Sequence, residues 1–175
     1  MRILAMYSSR FGHTTRIVGR IAESLRQQGH DVIVRPSHVV RDIGDDIDAT
    51  IIAASVRYGF YAPHLKTFTR KHVNRLHSMP TAFLGVSLSS TKDGQDEPHT
   101  NRYSRKFLDG TPWKPTICRL FDGEINFDLY RGLDRILLNK ILEVSGKPHG
   151  DGVKVEYTDW EAVDGFARDF AALLR

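Results

Sequence analysis

The chain of 175 residues contains one cysteine, Cys118. A lone cysteine excludes an intramolecular disulfide framework and a cysteine metal cluster, and it fits a reducing cytosol. No apolar run approaches the ~20 residues that a membrane-spanning helix requires. The apolar stretch Ile3–Tyr7 is too short for the core of a secretory signal. No linker, internal repeat or low-complexity tract divides the chain. The expectation is therefore one domain over 1–175, with an extended insert around 126–154. An acidic excess is also missing. Lys and Arg number 25 against 21 Asp and Glu, for a formal net charge of +4. That balance suits anionic small molecules, lipid or nucleic acid without choosing among them. The positive residues are scattered and not interleaved with an aromatic stripe, which argues against a nucleic-acid partner.

What is present alternates between short apolar runs and amphipathic segments. Runs at Ile3–Met6, Val32–Val34, Thr50–Ala54, Ala82–Leu88 and Ile117–Phe121 read as strands. A helical period carries Ile17, Val18, Ile21, Ala22 and Leu25, and Gly29 closes it. Pro63 opens a second helix through Leu65, Phe68, His72 and Leu76, and a third is expected around Arg102–Leu108. A capping box of Thr158 and Glu161 is expected to open the last helix, burying Val163, Phe166, Ala167, Phe170 and Leu173. All-apolar strands alternating with helices predict an α/β fold with a parallel sheet covered on both faces.

Ligands of such sheets sit beyond the carboxyl ends of the strands. Three loops there carry chemistry. After the first strand come Ser8, Ser9, Arg10, Phe11, Gly12, His13, Thr14 and Thr15. Hydroxyls at a helix start, where backbone N–H groups are unpaired, make an anion site. The loop has neither the Gly-Lys-Ser/Thr ending of a nucleotide phosphate loop nor a three-glycine dinucleotide fingerprint, so a phosphate monoester suits it better. Alone, it fits equally a capped helix start that binds nothing. After the third strand, Ser55, Val56, Arg57, Tyr58 and Gly59 lead into Phe60 and Tyr61, with Gly59 letting a flat ligand approach the backbone. Taken separately, those aromatics fit ordinary loop packing. After the fourth strand, Ser87, Leu88, Ser89 and Ser90 offer polar partners to a ring edge. Together the three loops describe a site for riboflavin monophosphate, FMN.

At the first loop, Tyr7, Ser9, Gly12, Thr14 and Ile21 meet the flavodoxin signature, and Met6 and Val18 depart from it. The chain thus resembles flavodoxin-like proteins. That resemblance implies a three-layer sandwich around a five-stranded parallel sheet of order 2-1-3-4-5, with bound FMN. A narrower resemblance rests on Ala54–Gly59, His77–Pro80, Asn101–Leu108 and Tyr157–Trp160. These segments are similar to the menaquinone-dependent protoporphyrinogen IX oxidases of bacteria. The likeness implies oxidation of protoporphyrinogen IX, six electrons in three two-electron steps, in heme biosynthesis. It also implies menaquinone or ubiquinone as acceptor, and peripheral contact with the cytoplasmic side of the inner membrane.

The residues bear on that reading in three ways. The flavin loops contain Arg10 and Arg57 and no carboxylate, which should ease two-electron reduction and attract the propionates of a tetrapyrrole. No residue declares itself as catalytic; Arg57, inside the second loop, is a candidate for a direct part in the reaction. His13, His64 and His99 are candidate bases by residue type only, and Cys118 reads as inert core. A stripe of Leu133, Ile136, Leu137, Ile141 and Val144, widened by Leu138 and Leu142 and flanked by Arg131, Arg135, Lys140 and Lys147, fits either a membrane surface or packing on the sheet. Two other functions stay open here: a flavodoxin-type electron carrier, and an NAD(P)H:quinone reductase of the same fold.

Overall fold

A computed structural model describes residues 1–88, 98–144 and 146–174. Strands β1 (Arg2–Ser8), β2 (Asp31–Pro36), β3 (Ala49–Ser55), β4 (Thr81–Ser87) and β5 (Ile117–Asp122) form one sheet of order β2-β1-β3-β4-β5. Every pairing in it is parallel. Helix α1 (His13–Gln27) fills the crossover from β1 to β2, α2 (Pro63–Lys71) and α3 (Val73–His77) the one from β3 to β4, and α4 (Arg102–Asp109) the one from β4 to β5, while a loop without a helix joins β2 to β3. After β5 come a short strand β6 (Glu124–Asn126), a 3-10 turn at Phe127–Leu129, α5 (Gly132–Val144), β7 (Lys154–Glu156) and α6 (Trp160–Ala172). β6 and β7 pair antiparallel, apart from the main sheet.

Strand periodicity explains the layers. Alternate residues point to opposite faces, so Ile3 and Ala5 of β1 join one core while Leu4 and Met6 join the other. The first core takes Ile17, Ile21 and Leu25 of α1 and Val163, Phe166 and Phe170 of α6. The second takes Leu65 and Phe68 of α2, Leu76 of α3, Phe107 of α4 and the fully buried Trp113. Buried on both sides, β3 and β4 carry apolar residues at almost every position.

Three local expectations change. The period through His72 breaks at that residue, giving α2 and α3 instead of one helix. Asp159, not Thr158, caps α6: its carboxylate accepts from the Glu161 and Ala162 N–H groups, while the Thr158 hydroxyl donates to the Asp122 carbonyl. Because α6 ends at Ala172, Leu174 is buried in place of Leu173, which is 40% exposed.

Gly85 on β4 is required by packing. The Tyr61 hydroxyl bonds Ser104 Oγ at 2.9 Å directly over it, and a Cβ there would press on that hydroxyl and lie 2.6 Å from Leu120 Cδ2. Gly85→Ala should therefore cost about 1–3 kcal/mol, read as a lower urea midpoint with unchanged slope.

Candidate functional site

β1, β3 and β4 are paired so that Ser8 lies level with Ala54, and Ser55 with Val86. Their loops consequently leave the sheet at one edge and surround a cavity of about 500 Å³. Such a volume falls within the range of small-molecule sites.

The first loop turns into α1 at Gly12, whose φ of 87° is in the left-handed region that favours glycine. Ser9 Oγ accepts from the Gly12 N–H at 3.2 Å, and no side chain caps the first turn of α1. Thr14 Oγ1 is buried without a hydrogen-bond partner among the described residues. Ser9, Arg10, Phe11, His13 and Thr14 line the cavity, whereas Ser8, Gly12 and Thr15 stand outside its wall.

In the second loop, Arg57 and Phe60 exchange backbone hydrogen bonds of 2.8 and 3.0 Å, leaving Tyr58 and Gly59 at the tip of a tight turn. Tyr58 has φ 50°, a conformation that costs a non-glycine residue roughly 1–2 kcal/mol. Ser55, Val56, Arg57, Tyr58 and Gly59 all line the cavity. Two aromatics expected beside Tyr58 do not. Tyr61 packs edge-on against Phe83 and Phe107 in the core, and Phe60 lies under the Lys106 ammonium, outside the wall. From the third loop Ser87 and Leu88 line the cavity, while Ser89 and Ser90 lie outside the described residues.

Several wall residues come from elsewhere. Tyr103 of α4 stands beside Gly59, and Glu124, Tyr130, Asp134, Leu137 and Ile141 come from β6 through α5. The loops alone carried no carboxylate, but the fold supplies two. Asp134 pairs with Arg10 at 2.5 Å and with Arg57 at 3.5 Å, so the cavity is less basic than its loops. Residue order concealed this, since Arg57 and Asp134 are 77 positions apart. Phe11 and Tyr130, with ring centroids 4.3 Å apart, add a second contact between the first loop and the segment leading into α5. Burial, with help from Glu124, holds the Tyr130 hydroxyl above its ordinary pKa.

α5 does not cover the sheet; α6 does. Leu138 and Leu142 pack with Ile125 and Phe127 in a separate small core. Leu133, Ile136 and Val144 are 83%, 66% and 83% exposed, so the expected stripe faces largely outward. Arg135 and Lys147 turn to local partners: Arg135 pairs with Asp151, and Lys147 donates to the Leu88 carbonyl.

The flavodoxin-domain family matches residues 4–151. A protein of Escherichia coli K12 named protoporphyrinogen IX dehydrogenase (quinone) is 37% identical over 174 residues, covering 99% of this chain and 96% of that one. A Leishmania major protein of the same name is 35% identical over 179 residues, covering 98% of this chain and 75% of its own. The chain belongs to the flavodoxin-domain family, among its protoporphyrinogen IX dehydrogenases (quinone). The solved oxidised flavodoxin 1 of Bacillus cereus shares the fold, with TM-score 0.54 at 12% identity over 98% of both chains.

This fold family implies a flavin, and the residues fit one. An uncapped helix start with a buried, unpartnered Thr14 hydroxyl suits a phosphate, and the turn at Tyr58 and Gly59 beside Tyr103 suits a flat ring. Of the three histidines considered by type, His13 lines the cavity and His64 and His99 do not. The Thr158 hydroxyl donates to the Asp122 carbonyl, so it must accept from His13 Nε2 at 2.6 Å. His13 Nδ1 stands 3.3 Å from Glu124 Oε2 without the alignment of a hydrogen bond, an ion pair only when the ring is protonated.

Burial lowers the His13 pKa below its ordinary 6.5; Glu124 and Glu156 oppose this and Arg16 reinforces it. The unfolded chain then takes up a proton near pH 6.5 that the folded chain refuses, so stability is full above that pH and falls as pH drops through it. His30 and His64, also lowered mainly by burial, act in the same direction. The urea midpoint should therefore fall between about pH 7 and about pH 5, and His13→Gln should remove part of that slope. An unchanged slope would mean that His13 already holds its proton at neutral pH, paired with Glu124.

Proposed function

We propose that the protein oxidises protoporphyrinogen IX to protoporphyrin IX with FMN as cofactor and a membrane quinone as acceptor, in three two-electron steps. The supporting observation is one cavity lined by Ser9, Arg10 and Thr14 at the α1 end and by Leu137, Leu138, Ile141 and Leu142 of α5. Relatives of nearly full length carry the corresponding name. Thr14, Ser9 and the first turn of α1 would hold the FMN phosphate, and Ser55–Gly59 with Ser87 and Leu88 would border its ring. FMN supplies the two-electron chemistry there. The protein's part is placement: Tyr103, Leu137 and Ile141 offer surface to a second flat molecule, and α5 shields the site from water. No side-chain nucleophile is required.

The exposed stripe on α5 supports peripheral contact with the membrane holding the quinone, and so a place on the cytoplasmic side of the bacterial inner membrane. Leu133, Ile136 and Val144 are large apolar residues on one short helix, with the exposed bases Arg131 and Lys140 beside them. Among the described residues no helix is long and apolar enough to cross a membrane, so contact would be at the surface.

Purified protein should quench FMN fluorescence stoichiometrically, and Thr14→Val should weaken binding roughly tenfold or more, as expected for a lost hydrogen bond to a charged group. Anaerobic mixing of the FMN-loaded protein with protoporphyrinogen IX should raise porphyrin fluorescence only when a quinone is added; no quinone-dependent rise would overturn the activity. Wild-type protein should float with anionic vesicles, and a Leu133→Ser, Ile136→Ser, Val144→Ser variant should stay behind while still binding FMN. Equal flotation would remove α5 as the contact.

A further inference from the structure

The mouth of the cavity holds an internal carboxylate where an external one would fit. Arg10 leaves the sheet after β1 and Arg57 after β3, yet both guanidinium groups converge on Asp134 of α5. The Asp134 side chain is 14% exposed, while those of Arg10 and Arg57 are 40% and 50% exposed. One negative charge thus faces two positive ones, and the positive pair stays open to solvent. Arg57 makes the looser contact: its Nη2 is 3.5 Å from each Asp134 oxygen and 3.1 Å from the Tyr58 hydroxyl. Both cations also rest on aromatic faces, Arg10 over Phe11 and Arg57 over Tyr58, contacts that do not involve Asp134.

We propose that Arg10 and Arg57 form a carboxylate subsite, occupied by Asp134 in the resting protein and taken over by a propionate of the substrate. Guanidinium forks suit carboxylates, and the exchange replaces one carboxylate with another. Released Asp134 remains in the first turn of α5, where the helix dipole favours a negative charge. The same face carries the rest of the contact. Asp134, Leu137 and Ile141, spaced three and four residues apart, all line the cavity. A ring lying on Leu137 and Ile141 would therefore direct an edge substituent toward the two arginines. Asp134 acts here as a competitor that sets specificity, not as a catalytic residue.

This inference rests on the proposed substrate, and its test separates the two. The probes are mesoporphyrin IX, a stable porphyrin with two propionates, and its uncharged bis-amide. Binding of each to the FMN-loaded protein is followed by porphyrin fluorescence polarisation. The ratio of the two affinities within each variant is the readout, because general damage weakens both probes alike. Wild-type protein should prefer the dicarboxylate about tenfold. Arg57→Gln should largely abolish that preference, and Asp134→Asn should raise it about threefold to fivefold. A preference lowered by Asp134→Asn would make Asp134 a support for the arginines and overturn the proposal. Equal binding of both probes to the wild type would overturn the subsite and leave the oxidase reading standing. Binding of neither, in protein that still takes up FMN, would overturn both.

Discussion

Parallel pairing of β1, β3 and β4 in step is the constraint on which the cavity depends. It sets Ser8 beside Ala54 and Ser55 beside Val86, so three loops of different chemistry start at one level of one edge. The register is held by what the strands bury. Ile3 and Ala5 belong to the core under α1 and α6, and Leu4 and Met6 to the core under α2, α3 and α4. A shift of one residue in β1 would exchange those sets and expose neither to water, but would mismatch both cores. It would also carry the first loop away from the second. Site geometry and core packing are thus one requirement.

The segment between β5 and α6 adds what the sheet does not supply. Its small core of Ile125, Phe127, Leu138 and Leu142 holds α5 near the loops. Asp134 and Tyr130 then tie it to Arg10, Arg57 and Phe11. Little apolar surface fastens this wall compared with the helices on the sheet. A wall held by a few polar and aromatic contacts suits a cavity that must admit a large flat molecule. The same helix presents Leu133, Ile136 and Val144 outward, so one element serves the inside of the site and the outside of the molecule.

Much of the fold was legible because its signals are local. All five sheet strands, α1 with Gly29 beyond its end, the Pro63 helix start and the helix near Arg102 follow from periodicity and turn chemistry. Local signals do not decide where neighbours compete. Thr158 and Asp159 both resemble caps, and the fold spends the Thr158 hydroxyl on His13 and Asp122, leaving Asp159 to cap α6. β6 and β7 are three residues each, too short for a period-two pattern to register. Of the loop aromatics, Tyr58 stands at the tip of a turn with left-handed residues at positions 58 and 59 and lines the cavity, whereas Tyr61 is buried against Phe83 and Phe107 in the core.

By itself the sequence determined the five sheet strands with α1, α4 and α6 among them, the hydroxyl-rich turn before α1 and the amphipathic character of α5. Each depends on residues a few positions apart. Tertiary structure alone decided that α5 presents its stripe outward, that Tyr103 and Tyr130 join the wall, and that Asp134 meets Arg10 and Arg57. Those contacts join residues tens of positions apart, and their existence depends on how two cores and a small third one pack. A charge counted along the chain is not the charge felt in the cavity, because folding chooses which groups share it.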